Sequence, residues 1–239
     1  MNEVVVPNKA STIVVVRPDF DGGFEVLMTR RHAAMQFLGG FLVFPGGGVE
    51  DEDCSDEMLS LCRGLTRSDA QKILGSEISP ALSFGHWVAA VRELFEETGI
   101  YFFVDQNNEI PNASRTGLAE RLANMRGTLS NSTLDLFQLL QSEGLFCDLG
   151  RLIYLFHRVT PEKYPVRFDT RFYLAALPPN QTPLISSEEV SESLWISPKI
   201  ALEDSVAGQF PMMPPTIITL RTLAEHGSWR NLCAAFNLR

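Results

Sequence analysis

Glu93, Glu96 and Glu97 stand in the stretch RELFEETGI (92–100) at spacings i, i+3 and i+4. On a helix that spacing crowds three carboxylates together, at a cost of roughly 0.2–0.5 kcal/mol per like-charged pair. A solvated acidic face is one explanation; a cation held among the carboxylates is the other. Arg92 can ion-pair with one glutamate, and FPGGGVEDED (44–53) upstream offers backbone carbonyls and further carboxylates. Hard divalent cations such as Mg²⁺ prefer oxygen ligands of this kind and keep waters that a phosphate can share. Clustered carboxylates with Mg²⁺ or Mn²⁺ are what phosphoryl chemistry needs, because the ion neutralises phosphate oxygens and helps generate hydroxide from water.

The element that must carry the cluster is a helix from about Phe84 to Thr98, ended by Gly99. At roughly 100° per residue, Trp87, Val88, Val91 and Phe95 fall opposite the glutamates, so one face packs on a sheet and the other faces a cleft. Upstream, STIVVVRP (11–18) and FEVLMTRR (24–31) read as strands around the turn DFDGG, and FLVFPGGG (41–48) as a short strand entering a proline–glycine loop. Between 54 and 84 two short helices are expected, with Ser55 and Thr66 or Ser68 as N-caps and Gly75 as a C-cap. Helix is expected over about 113–144, strands at 151–159, 170–178 and 193–197, then helix over 215–226 and a further helix to the end.

Composition bounds the rest. The 239 residues are 45% apolar, enough to bury a sizeable core as one domain, 1–239. With 20 basic against 29 acidic residues, broad electrostatic binding to nucleic acid or an anionic membrane is not expected. An anionic small molecule would need local arginines or a metal ion. Cys54, Cys62, Cys147 and Cys233 form no CxxC pair and read as reduced, mostly buried thiols. No apolar run approaches the ~20 residues of a membrane span. MNEVVVPNKA lacks a secretory pattern and FNLR is not a peroxisomal tripeptide, so a cytoplasmic location is expected.

These residues closely resemble the Nudix hydrolases, marked by G-x5-E-x7-R-E-U-x-E-E-x-G-U, with U a bulky aliphatic. Arg92, Glu93, Leu94, Glu96, Glu97, Gly99 and Ile100 complete its second half, and the first half matches Gly47 with Asp53 in the glutamate position. Thirty-eight residues separate Asp53 from Arg92 where a contiguous box has seven, so about 31, roughly 54–84, are inserted. A loop insertion costs little closure entropy. LMTRRHAAMQFLGGFLVFPGG (27–47) is similar to the signature of coenzyme A diphosphatases at Leu27, Thr29, Arg31, Gly40, Phe44, Pro45, Gly46 and Gly47. Met28 is a mild change, His32 replaces a small residue, and Gln36 replaces a second arginine. Segments 166–175, 187–202 and 211–216 also resemble a long-insert subgroup that includes the peroxisomal coenzyme A diphosphatases of animals.

The resemblance implies an α/β Nudix fold: a mixed sheet in an α/β/α sandwich, a helical insertion inside the box, and a C-terminal helical extension (211–239). It implies that the Gly46 carbonyl, Glu96 and Glu97 hold an essential Mg²⁺ or Mn²⁺. Glu93 would be a further ligand or help activate water, with Arg92 orienting it. Arg31 and Gly47 would contact substrate, and a later carboxylate would come from Glu188 or Glu189, with Glu189 preferred. The implied reaction is hydrolysis of a diphosphate in a nucleotide derivative. Coenzyme A or an acyl-CoA is favoured; ADP-ribose, NADH and a capped RNA end are alternatives, as is a non-catalytic nucleotide-binding module.

Several residues stay open at this level. Arg167 and Arg171 flank Asp169 in an ion-pair network or a substrate contact. Phe37 and Phe41 stack on a base or pack in the core. His32, His86, His157 and His226 show no ligand or triad spacing. The segments 54–84 and 113–144 shape substrate choice, cover the sheet or build a homodimer interface.

Overall fold

The computed structural model describes residues 5–111, 117–130, 135–184 and 190–238. Its main sheet runs in the order β10 (Val190–Ile196), β2 (Phe24–Arg31), β1 (Asn8–Pro18), β9 (Phe168–Ala176), β8 (Ile153–Val159). Short β3 (Leu42–Val43) adds to β2, and β4 (Gly46–Gly48) adds to β1. β1 and β9 are parallel, from Asn8 opposite Phe168 to Val16 opposite Ala176, and the other pairs of this sheet are antiparallel. The sheet is therefore mixed, as the resemblance implies.

The run Ile13–Val16 shows why the fold has three layers. Successive strand residues point to opposite faces, yet all four are fully buried. Ile13 and Val15 join Leu27, Trp87 and Tyr173 in one core, while Val14 and Val16 join Met28, Leu174 and Leu220 in another. The first core lies under helix α3 (Pro80–Thr98), with α1 (Asp56–Ser60) and α2 (Arg67–Leu74) beside it. Helices α4 (Leu118–Ser130) and α5 (Leu136–Glu143) pack there too. On the second core lie α6 (Pro198–Val206), α7 (Pro214–Ala224) and α8 (Trp229–Phe236).

Several expectations are refined. The helix of the glutamates starts at Pro80, not near Phe84, because Ser79 caps it by accepting from the Leu82 amide at 3.2 Å and Pro80 occupies the first turn. The inserted segment therefore ends at the cap. Within it Ser55, Thr66 and Gly75 cap α1 and α2 as expected, with Thr66 rather than Ser68 as the N-cap. The strand expected over 41–48 is two, split at Pro45, since β3 pairs with β2 and β4 with β1. Helix α6 and a small sheet of β5 (Cys62–Arg63), β7 (Phe146–Asp148) and β6 (Phe103–Val104) were not anticipated. All four cysteines are free, but only Cys147 is buried. Among the described residues no helix is long and apolar enough to cross a membrane. Glu188 and Glu189 lie outside the described residues.

Candidate active site

Arg92 organises the site. Its side chain is 5% exposed and its Nε and Nη2 donate to the two oxygens of Asp53, each at 3.0 Å. Nη2 also donates to the Gly48 carbonyl at 2.7 Å and Nη1 to Glu93 at 3.0 Å, with Glu96 at 3.5 Å and Glu50 at 3.8 Å. The second oxygen of Asp53 accepts from the Glu50 amide at 2.9 Å. Burial works against the arginine's charge, but Asp53 foremost, then Glu93 and Glu96, hold the guanidinium firmly protonated. The two halves of the split box thus meet in space through a buried, bidentate ion pair.

The glycine strand presses on the same helix. A Cβ at Gly47 would lie 2.4 Å from the Glu93 carboxyl, so only glycine lets that carboxyl reach the backbone of β4. Gly46 has φ +155°, and a Cβ there would meet the Ser11 carbonyl at 2.3 Å. Burial pushes the Glu93 carboxyl up to about 7, opposed by Arg92 and assisted by Glu96. Glu96 is also raised, again first by burial. One guanidinium is shared among Asp53, Glu93, Glu96 and Glu50. That surplus of negative charge, with hard oxygen donors throughout, fits a divalent cation.

Arg31, Gly46, Gly47 and Glu93 line one cavity of about 400 Å³. Glu96 stands half-buried on the same helix, and Glu97 is buried; neither lines the cavity. Among the described residues no three histidine, cysteine or acidic side chains stand close enough together to hold a metal ion by themselves. Of the expected trio, Glu93 and Glu96 face the same nitrogen of Arg92, at 3.0 and 3.5 Å.

The structure places the residues left open. Arg31 lines the cavity and its Nε also donates to the Phe37 carbonyl at 3.3 Å, holding the loop that follows β2. Phe37 lines the cavity with its ring 5.2 Å from that of Phe168, whereas Phe41 does not line it. Arg167 donates to the carbonyls of Thr160 and Val5, while Arg171 pairs with Asp169, which also binds Lys9 and His157. His86 is fully buried with Nδ1 3.0 Å from the Ser11 hydroxyl, and burial lowers its pKa to about 3. His226 packs edge-on against Phe236.

Sequence reasoning missed three contributors. β9 turns Phe168, Thr170 and Phe172 into the cavity, Met213, Pro215 and Thr216 at the start of α7 close another wall, and β1 adds Ala10, Ser11 and Thr12. The period-two alternation of β9 was visible, but not which face would meet a cavity. Arg126 of α4 was missed too; it donates to the Glu96 carbonyl at 2.7 Å, at the end of α3 where carbonyls lack helical partners.

Comparison with known proteins agrees with this geometry. Residues 4–223 match the family described as the NUDT19 Nudix domain. A putative nudix hydrolase 7 of Caenorhabditis elegans is 29% identical over 212 residues, covering 89% of this chain and 59% of that protein. The acyl-coenzyme A diphosphatase NUDT19 of Gallus gallus is 27% identical over 244 residues, covering 87% of this chain and 63% of that one. The chain thus spans about three fifths of the length of these curated relatives. The crystal structure of a NUDIX hydrolase from Alicyclobacillus acidocaldarius superposes with a TM-score of 0.74 at 31% identity, covering 95% of this chain and 96% of that one. With its split box closed by Arg92 and Asp53, the chain belongs to the Nudix superfamily, in the family of the NUDT19 Nudix domain.

Proposed function

We propose that this protein is a Mg²⁺- or Mn²⁺-dependent hydrolase that cleaves the diphosphate of a nucleotide derivative by attack of water at phosphorus. Coenzyme A or an acyl-CoA is its favoured substrate, yielding a phosphopantetheine and adenosine 3′,5′-bisphosphate. The observation that carries this is one cavity wall shared by Arg31, Gly46, Gly47 and Glu93. The relatives named acyl-coenzyme A diphosphatase support the choice of substrate.

In this reading the Gly46 carbonyl, Glu93, Glu96 and Glu97 hold the ion. When bound, it supplies charge neutralisation and a more acidic water. Arg31 binds a phosphate oxygen. Glu93, oriented by Arg92 at 3.0 Å, is a further ligand or helps activate the attacking water. Glu189 is the proposed later carboxylate. Turnover of coenzyme A with Mg²⁺ or Mn²⁺ tests the proposal, and Glu97→Gln should abolish it while leaving the far-ultraviolet circular dichroism unchanged. Full turnover in that variant refutes the metal assignment. A marked preference for ADP-ribose in kcat/KM over coenzyme A refutes the substrate.

A further inference from the structure

The cavity holds a charge pattern that the box residues do not explain. Arg31 is its one cationic lining residue among the described residues, and Glu93 its one anionic residue. The remaining wall is aromatic and aliphatic (Phe37, Phe168, Phe172, Met213) with threonine hydroxyls from β9 and α7 (Thr170, Thr216). The lining distinguishes the two arms of a coenzyme A substrate by their charge.

Resting on the coenzyme A reading above, we propose that the arm seated here is the acyl-pantetheine, while the adenosine with its 3′-phosphate projects into solvent. The argument is electrostatic. A buried 3′-phosphate dianion needs fixed positive charge, and without it the effective penalty is several kcal/mol per ion. Among the described residues Arg31 is the one lining cation, and the reading above already assigns it, with the ion held beside Glu93, to the diphosphate. The pantetheine arm is uncharged. Its methyl and methylene groups suit the phenylalanines and Met213, and its amides and hydroxyl need the partners that threonine hydroxyls provide, since unpaired buried polar groups cost about 1–3 kcal/mol each. Phe37 stands 40% exposed, which leaves an apolar ring on which an acyl group can lie.

The test begins with the unaltered protein and Mg²⁺, comparing kcat/KM for coenzyme A, dephospho-coenzyme A and hexanoyl-CoA. Removing the 3′-phosphate should change kcat/KM less than threefold, and adding the acyl chain should lower KM. Phe37→Ala and, separately, the near-isosteric Thr170→Val should weaken inhibition by 4′-phosphopantetheine about tenfold, the loss of one good contact. Inhibition by adenosine 3′,5′-bisphosphate should move less than twofold. A greater than threefold loss with dephospho-coenzyme A, or equal weakening of both inhibitors, overturns the assignment. If ADP-ribose is hydrolysed and no coenzyme A ester is, the substrate reading itself fails, a result distinct from either of those.

Discussion

Replacing Arg92 with lysine keeps the charge and removes the fork, which isolates the geometry that joins the two halves of the box. Arg92 makes four short bonds: two to Asp53 at 3.0 Å, one to Gly48 at 2.7 Å and one to Glu93 at 3.0 Å. A lysine ammonium is a single point of charge and cannot span Asp53 bidentately while reaching a carbonyl and a second carboxylate. With three donors on one nitrogen at least one of the four bonds must go, and the lost fork geometry takes a second in this estimate. Hydrogen bonds to charged groups contribute about 1.5–3 kcal/mol each, so the raw loss is roughly 3–6 kcal/mol, reduced because the ammonium still attracts Asp53. Asp53, with its side chain 3% exposed, has little access to water as a replacement partner.

We expect Arg92→Lys to cost about 3 kcal/mol, a substantial share of a typical 5–15 kcal/mol. At about 2–4 °C per kcal/mol for a chain this long, Tm should fall by roughly 6–12 °C. Urea unfolding in EDTA, followed by circular dichroism with m held in common, measures it without metal masking the change. Asp53→Asn and the double variant complete a cycle, in which the double should lose less than the sum of the singles. Lys199→Met is the control: its 3.9 Å contact with Glu203 joins two exposed side chains, and such pairs often contribute nothing measurable. An Arg92→Lys loss below about 1 kcal/mol would show that the buried fork does not hold the box together.

Gly47→Ala should fold normally, because the clash is with the end of the Glu93 side chain, yet lose roughly 10–100-fold in metal affinity by calorimetry; unchanged affinity would remove Glu93 from the metal site. In metal-free protein, Glu93 titrates near 7 when folded and near 4.5 when unfolded, so the folded state binds the extra proton and stability falls as pH rises through that window, by up to about 1.4 kcal/mol per pH unit. Glu93→Gln should lack that component, and parallel stability curves for the two proteins from pH 4.5 to 7 would contradict it. His86 has the opposite sign: neutral in the fold down to about 3 and ionising at 6.5 when unfolded, it withdraws stability as pH falls below 6.5. His86→Gln should flatten that acid limb in denaturant titrations, and an unchanged slope would mean the imidazole is not held neutral.

How much of this was legible in the sequence depends on the range of the physics involved. Caps are local, so Ser55, Thr66, Gly75 and Gly99 were readable in advance. The start of α3 was equally local, a serine before a proline, but assigning residues 80–84 to the insertion obscured it. Strands of two or three residues such as β5 and β6 carry no period to detect and exist only because β7 pairs with both. The chemistry of the three glutamates was legible from their spacing, but their separate fates were not. Glu93 meets the cavity because Gly47 admits it, while the environments of Glu96 and Glu97 depend on tertiary neighbours. The cavity wall was least legible, since Phe37, Phe168 and Thr216 come from three distant segments whose resemblances do not say which faces meet.

The insertion is the point at which sequence and space diverge most, and Asp53 explains why the divergence is tolerated. It sits on a one-turn helix (Glu52–Cys54), pinned by the Glu50 amide and by Arg92 before the inserted segment departs. Gly85 then lets that turn approach α3: a Cβ there would fall 2.4 Å from the Cys54 sulfur. The inserted residues leave after Cys54 and return at the Ser79 cap, so both ends are fixed by contacts that do not depend on the length between them. Because closure entropy grows only as the logarithm of loop length, lengthening the segment costs little next to the buried ion pair that bridges it. The two halves of this box are therefore joined in space, through the Arg92–Asp53 contact, rather than along the chain.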